Sequence, residues 1–313
     1  MENIGGFTCY YASEKLILTV LRAFQHKLHH ASTSHLTKDQ PFVPYTREEW
    51  GLDPLNLEKE DLAGSWVSHD LQEVFQEVME YSPVWNIVSL TGQLFIGWWA
   101  YLLADVKGQH RNHPTWTSHF LPSSPIFTPY QSRQVIMSAG GVAIWFAAIF
   151  YAIHTFGFLP VFRTYIAPYL WMTHWLVFIT YLQHSDPLLP KYEASVFTFA
   201  RGALSTFDRE LMGGPGIFGK VCNYVCATAT HGICETHITH HSCSRIPHYH
   251  AWEAKKSIDE LLKRHGIQPQ GNPATWTEAL RILRECKFVE SEGEVRFYKN
   301  AKGQAARVPV FSL

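Results

Sequence analysis

Apolar residues along this chain gather into a few long uncharged runs, and these runs outline the fold. Residues 135–153, VIMSAGGVAIWFAAIFYAI, hold nineteen positions without a charge. At 1.5 Å rise per residue, a helix of that length covers about the 30 Å of a bilayer core. Residues 164–182, TYIAPYLWMTHWLVFITYL, form a second uncharged nineteen, rich in the Trp and Tyr that favour membrane interfaces. Only HTFGFLPVFR separates them, so the pair predicts a helical hairpin that crosses a membrane and returns. The bland alternative is a hairpin buried in a soluble protein. A third apolar run, residues 84–104, is broken by Gly92, Gln93 and Gly97. It is expected to lie in the interface or to re-enter, which leaves the polar sequence on both sides of the hairpin on one membrane face.

The remaining pattern is polar. Thr46 and Glu49 have the spacing of a capping box, predicting at most a short surface helix. After Ala251, WEAKKSIDELLKRHG has helical periodicity and FVESEGEVRFYKN reads as a hairpin about its glycine. The expected organisation is a core over residues 1–251 and a cytosolic tail over 252–313. The fold class is all-α, an integral membrane helical bundle. The opening MENIGGFTCYYASEK lacks the basic start and apolar run of a secretory signal.

Composition narrows the chemistry. A net charge of -1, with no basic stripe, gives no reason to expect nucleic acid as a partner. The six cysteines, Cys9, Cys222, Cys226, Cys234, Cys243 and Cys286, form no CxxC pair and read as reduced thiols. Histidine stands out, at 18 of 313 residues. Two stretches share one spacing, HKLHH from His26 to His30 and HITHH from His237 to His241. On a helix, positions i, i+3 and i+4 share a face, so His26, His29 and His30 converge, as do His237, His240 and His241. Six imidazoles exceed the needs of one four-coordinate ion and point to two metals. His184 emerges from the second apolar run on the same face and is a further candidate. Asp39 and Glu235, near the clusters in sequence, are candidates to hydrogen-bond the second nitrogen of a ligand ring. His231 is expected to support by hydrogen bonding. His174 is expected to be a packed core residue and His154 a structural one. His110, His113, His119, His248, His250 and His265 are expected to be solvated loop residues.

With these motifs in view, HKLHHASTSHLTKDQPFVPYTREE, TYLQHSDPLLP, RGALSTFDRE and ETHITHHSCSRIPHYHAWEA resemble the membrane fatty acid desaturases, in particular the fungal delta-12 (oleate) type. The resemblance runs from near the start to about Ala254. It implies a di-iron centre at the cytosolic face of a helical bundle in the endoplasmic reticulum, with the histidine boxes and the tail facing the cytosol. It implies molecular oxygen as co-substrate, electrons from NADH through cytochrome b5 and its reductase, and a fatty acyl substrate on a phospholipid or CoA. It places the iron ligands on His26, His29, His30, His184, His237, His240 and His241. The expected reaction is insertion of a cis double bond, with acyl hydroxylation or acetylenation as relatives' alternatives.

Two departures stand against the family pattern. Asp186 occupies the place of a second histidine after His184, and the family's first histidine box is not found, so the chain is expected to be N-terminally incomplete. A catalytically inactive membrane remnant is therefore the expectation from another class.

Overall fold

The computed structural model describes residues 25–75 and 82–309. The opening peptide and Cys9 lie outside the described residues. Helix α1 covers residues 25–32 and carries the first histidine box. An irregular stretch leads to α2, His69–Phe75, and then to α3, Pro83–Ala104. Ser82 caps α3, accepting a hydrogen bond from the Trp85 amide with Pro83 in the first turn, and Asp105 closes it in a left-handed conformation with φ 53°. The glycines that were expected to interrupt this segment do not break it. Each costs about 1 kcal/mol relative to alanine, which packing along the next apolar helix offsets.

A 3₁₀ turn, Pro129–Gln131, opens α4, Ser132–Phe156. Gly157, with φ 84°, turns the chain into α5, Phe158–Val161. A π turn over Phe162–Ile166 continues without interruption into α6, Ala167–His184. The second apolar run is thus one rod from residue 158 to residue 184, longer than its sequence pattern. The π turn has a local cause: Pro168 has no amide hydrogen to donate, and its ring clashes with the carbonyl four residues back.

Beyond α6, strand β1, Lys191–Tyr192, pairs antiparallel with β2, Val295–Arg296, in the register Lys191 to Arg296 and Tyr192 to Val295. Between them come α7, Phe199–Ala203, α8, Gly216–Ala229, α9, His237–Ser242 with the second histidine box, α10, His248–Arg264, and α11, Trp276–Glu285. The Thr46–Glu49 capping box forms with both of its hydrogen bonds, but it closes a single turn.

The core lies where α3, α6 and α11 meet. Leu90 and Leu94 of α3, Val177, Phe178 and Leu182 of α6, and Ala279 and Ile282 of α11 are buried together. The segment from residue 252, expected as a separate tail, is built into this body. Phe288 and Ala301 close a second cluster with Leu52, Leu71 and Phe75, and Val289 and Tyr298 close another with Leu36. The charged outer face of α11 makes the segment look soluble in sequence, while its narrow apolar face seals the core. The expected hairpin forms only at its base, where Phe288 and Lys299 bridge antiparallel. Its second limb pairs with β1 instead, and Val289 bridges to Thr46.

Among the described residues two helices, Pro83–Ala104 and Pro129–Phe156, are long and apolar enough to cross a membrane. The run over 164–182, expected as a span, is not one of them, while the run over 84–104, expected to lie in the interface or re-enter, is. Only 17% and 11% of the apolar windows of these two helices are buried. Neither behaves as the core helix of a soluble protein, whose apolar face is covered.

Candidate metal centre

Helices α1, α6 and α9 bring all seven expected histidines to one place. His26, His30 and His240 form one group, with His30 Nε2 3.0 Å from both His26 Nε2 and His240 Nε2. His29, His184 and His241 form the other. His237 joins it, since His184 Nε2 lies 3.2 Å from His29 Nε2 and 3.1 Å from His237 Nε2. The rings of His30 and His241 stack at 4.3 Å between centroids, so the two groups adjoin. His29, His30, His184, His237 and His241 are buried, His240 is half-buried and His26 is exposed.

The donor set fits a pair of metal ions. A neutral imidazole has one N–H and one lone pair, so a nitrogen can serve one ring–ring hydrogen bond well. His30 Nε2 and His184 Nε2 each meet two other ring nitrogens, an arrangement that such bonds leave partly unsatisfied. A cation in each group satisfies all of them. Two nitrogens bound at about 2.1 Å and at right angles stand about 3.0 Å apart, close to the spacings found.

Burial, followed by the neighbouring imidazoles, holds the His30 ring down to about 2. Burial, then His29, brings His240 to about 4. The same causes keep His237 and His241 well below the ordinary histidine value. These rings are neutral at pH 7, the form that binds metal.

The surroundings fix ring orientation. Asp39 Oδ1 accepts from His29 Nδ1 at 2.7 Å, and the carboxylate is itself held by the Ser34 and Gln40 amides. Thr33 Oγ1 meets His241 Nδ1 at 3.1 Å, and the Ile233 carbonyl lies 3.2 Å from His237 Nδ1. Glu235 has a different place from the one its sequence position suggests. It accepts from the Leu211 amide and Asn223 Nδ2, fastening α8 to the loop before it. His231 is exposed with φ 56° and lies against His248, away from the cluster. Asp186 also turns away from the metal groups, accepting from Arg209 at 2.7 Å and Arg281 at 3.1 Å. His174 accepts from Trp276 Nε1, as a hydrogen-bonded core residue does.

Several residues at the site carried no sequence expectation. Buried Lys191 donates to the His184 carbonyl at 3.1 Å. Asp208 accepts from the Ile238 amide at 2.8 Å and so caps α9, while Arg209 donates to the Leu182 carbonyl. Both charges stand in RGALSTFDRE, one of the motifs that carry the family resemblance. His119 and His113 are not solvated loop residues. Both bind Asp105 at the end of α3, and fully buried His119 also meets Gln25, next to His26. Cys222, Cys226, Cys234, Cys243 and Cys286 are free thiols.

A cavity of about 840 Å³ runs between α3 and α6 and ends on His26, His29, His184, His237 and His241. Its walls include Gly92, Ile96, Gly97 and Ala100 of α3 and Leu176, Val177 and Thr180 of α6. A side chain added at Gly92 meets nothing within 4 Å, and one at Gly97 reaches only Gln93 and Val177. The glycines thus leave volume between the helices.

Two groups of histidines beside an apolar cavity make this a helical protein with donors for a pair of metal ions next to space for an apolar group. A delta(12) fatty acid desaturase of Mortierella alpina is 39% identical over 275 residues, covering 88% of this chain and 63% of that protein. An oleate hydroxylase of Claviceps purpurea is 31% identical over 300 residues, covering 88% and 58%. A delta(12)-oleate desaturase of Trichosanthes kirilowii is 32% identical over 298 residues, covering 93% and 68%. The chain belongs to this family of delta-12 fatty acid desaturases and oleate hydroxylases. No protein-family model matches the sequence. The chain spans 63% of the length of the two Mortierella desaturases it matches.

Proposed function

We propose that this chain holds the metal centre and acyl channel of an oxygen-dependent desaturase that inserts a cis double bond, of delta-12 type, into a fatty acyl chain. The observation that carries the reading is the apolar cavity that ends on five of the seven clustered imidazoles. His26, His30 and His240 would hold one iron, and His29, His184, His237 and His241 the other. Bound there, the pair supplies, with molecular oxygen and two electrons from NADH through cytochrome b5 and its reductase, the oxidising power to remove hydrogen from an unactivated methylene. Asp39, Thr33 and the Ile233 carbonyl keep the rings aimed at the metals. The walls of α3 and α6 exclude water and hold one stretch of an extended chain, from a phospholipid or a CoA ester, beside the cluster.

The membrane seat rests on three features. The outer faces of α3 and α4 leave Val84, Trp85, Ile136, Met137, Phe150 and Tyr151 exposed. Helix α4 and the rod ending in α6 form a hairpin that returns to the histidines. At its C-terminal end helix α3 is tied to the histidine face, where Gln109 donates to the Asp39 carbonyl. The histidine face and residues 252–313 then lie in the cytosol, at the endoplasmic reticulum.

Lipid analysis of a host expressing the chain tests the reading. A new cis double bond in the acyl pool supports it. A new hydroxyl group would move the chain to the outcome of its Claviceps relative. An unchanged pool, from protein shown to hold two irons per chain, would overturn it.

A further inference from the structure

The carboxylate of Asp105, at the left-handed turn that ends α3, holds two histidine rings. Asp105 Oδ2 accepts from His113 Nδ1 at 2.7 Å, and Asp105 Oδ1 accepts from His119 Nε2 at 3.1 Å. The other ring nitrogen of His119, Nδ1, meets the carboxamide nitrogen of Gln25, which stands directly before His26 on α1. A carboxylate only accepts and an amide nitrogen only donates, so His119 carries its proton on Nε2 and accepts at Nδ1. Asp105 is buried and His119 fully so. The His119 ring also rests against Tyr101, with centroids 4.4 Å apart, and its amide donates to the Leu102 carbonyl. One chain of polar contacts thus ties α1 to the end of α3 and to the loop that follows it.

The two histidine groups differ in how their rings are aimed. Asp39, Thr33 and the Ile233 carbonyl serve His29, His241 and His237, all on one side of the cluster. In the other group, buried Nδ1 of His30 has no partner among the described residues, and His26 is exposed. His26 and His30 are i and i+4 on α1, whereas His240 comes from α9, so the three donors converge only where α1 is held in place against the body. We infer that His119, with Asp105 and Gln25, is a positioning strap for the group of His26, His30 and His240, and that it sets the affinity of that one metal position. The inference rests on the reading of the histidine groups as a metal pair. Metal donors must be held to within about 0.5 Å of their working geometry. Because the strap grips α1 beside His26 rather than an imidazole itself, its effect falls at the lower end of what residues behind the ligands contribute, about ten-fold in affinity.

Binding of Co²⁺ to the full chain in detergent tests the strap without turnover, read from the visible bands of the ion and from the ions bound per chain. The parent protein should bind two. His240→Ala removes a donor from the strapped group and so marks which band belongs to it. Gln25→Leu cuts the strap at its half-buried end; it should weaken that same ion about ten-fold and leave the other unchanged. In the His240→Ala background, Gln25→Leu should add nothing, because both changes act on one position. His119→Phe keeps a ring against Tyr101 but offers no nitrogen, and should repeat the selective loss with helical content equal to that of the parent by circular dichroism. Should His119→Phe fail to fold, Gln25→Leu decides alone. Unchanged affinity for both ions in Gln25→Leu overturns the inference, and so does equal weakening of both, which would make the contacts a general support of the fold. A parent that binds fewer than two ions fails the metal-pair reading and the inference with it; two ions in the parent without selective loss in Gln25→Leu sinks the inference alone.

Discussion

At the scale of single residues, the site depends on imidazoles kept neutral and aimed. Asp39 aims His29, so Asp39→Ala should weaken metal binding about 10- to 100-fold while the helical content stays unchanged. A metal titration followed by circular dichroism reads both, and unchanged affinity would remove Asp39 from the site. Neutrality makes a second prediction. A ring held below its unfolded value of about 6.5 stays neutral in the folded chain while the unfolded chain takes up a proton. Stability of the metal-free protein is then full above pH 6.5 and falls as the pH drops, through the titration of His240 near 4. Melting temperature measured from pH 7.5 to 4 should decline, and His240→Ala should flatten the curve; a pH-independent melt would contradict it. The seven histidines were legible because i, i+3, i+4 spacing leaves a mark in sequence and because His184 stands where the second apolar run ends. Asp186 and Glu235 were not legible in the same way. A carboxylate beside a ligand in sequence can point to either side of the chain, and here both turn to cationic or amide partners.

At the scale of elements, α8 is inverted. Ile217, Phe218, Val221, Tyr224 and Val225 are exposed along one face, while Gly219 and Asn223 face the protein, where Asn223 binds Glu235 and the Leu211 carbonyl. A helix with its apolar face outward is stable against lipid and not against water. Spin labels at Phe218 and Val221 should therefore show high accessibility to oxygen and low accessibility to a polar nickel reagent, with a label at Lys220 showing the reverse. Equal exposure of all three to the polar reagent would place α8 in water. Element boundaries were partly readable. The apolar runs found α4 and α6, but their ends shifted because proline and π geometry extend the rod back to Phe158. The glycines of α3 were read as breaks, since a pattern of residue types does not reveal whether a gap in a helix face opens onto backbone strain or onto a cavity.

At the scale of the whole molecule, the charges that anchor His184 come from the far end of the chain. Asp186, two residues past that ligand, is gripped by Arg209, which is 1% exposed, and by Arg281 of α11; Glu278 of α11 accepts from both arginines. Three buried charges, Asp186, Arg209 and Glu278, with the half-buried Arg281, hold as a set beside an apolar core, because removing one leaves the others without compensation. Arg209→Ala should cost about 3–5 kcal/mol, whereas Arg281→Ala, whose group is more exposed, should cost less. The same logic makes residues 265–309 a support of the proposed metal site rather than an appendix to it. Without Ala279, Ile282 and Phe288 the core clusters open, and without Glu278 and Arg281 the exit of α6 loses its clamp. A chain ending at Arg264 should then bind iron at well below two ions per protein and be cleaved rapidly by protease near Asp186. Retention of two irons in that shortened chain would show that α1, α6 and α9 hold the centre unaided, and would return the C-terminal segment to the status of a tail.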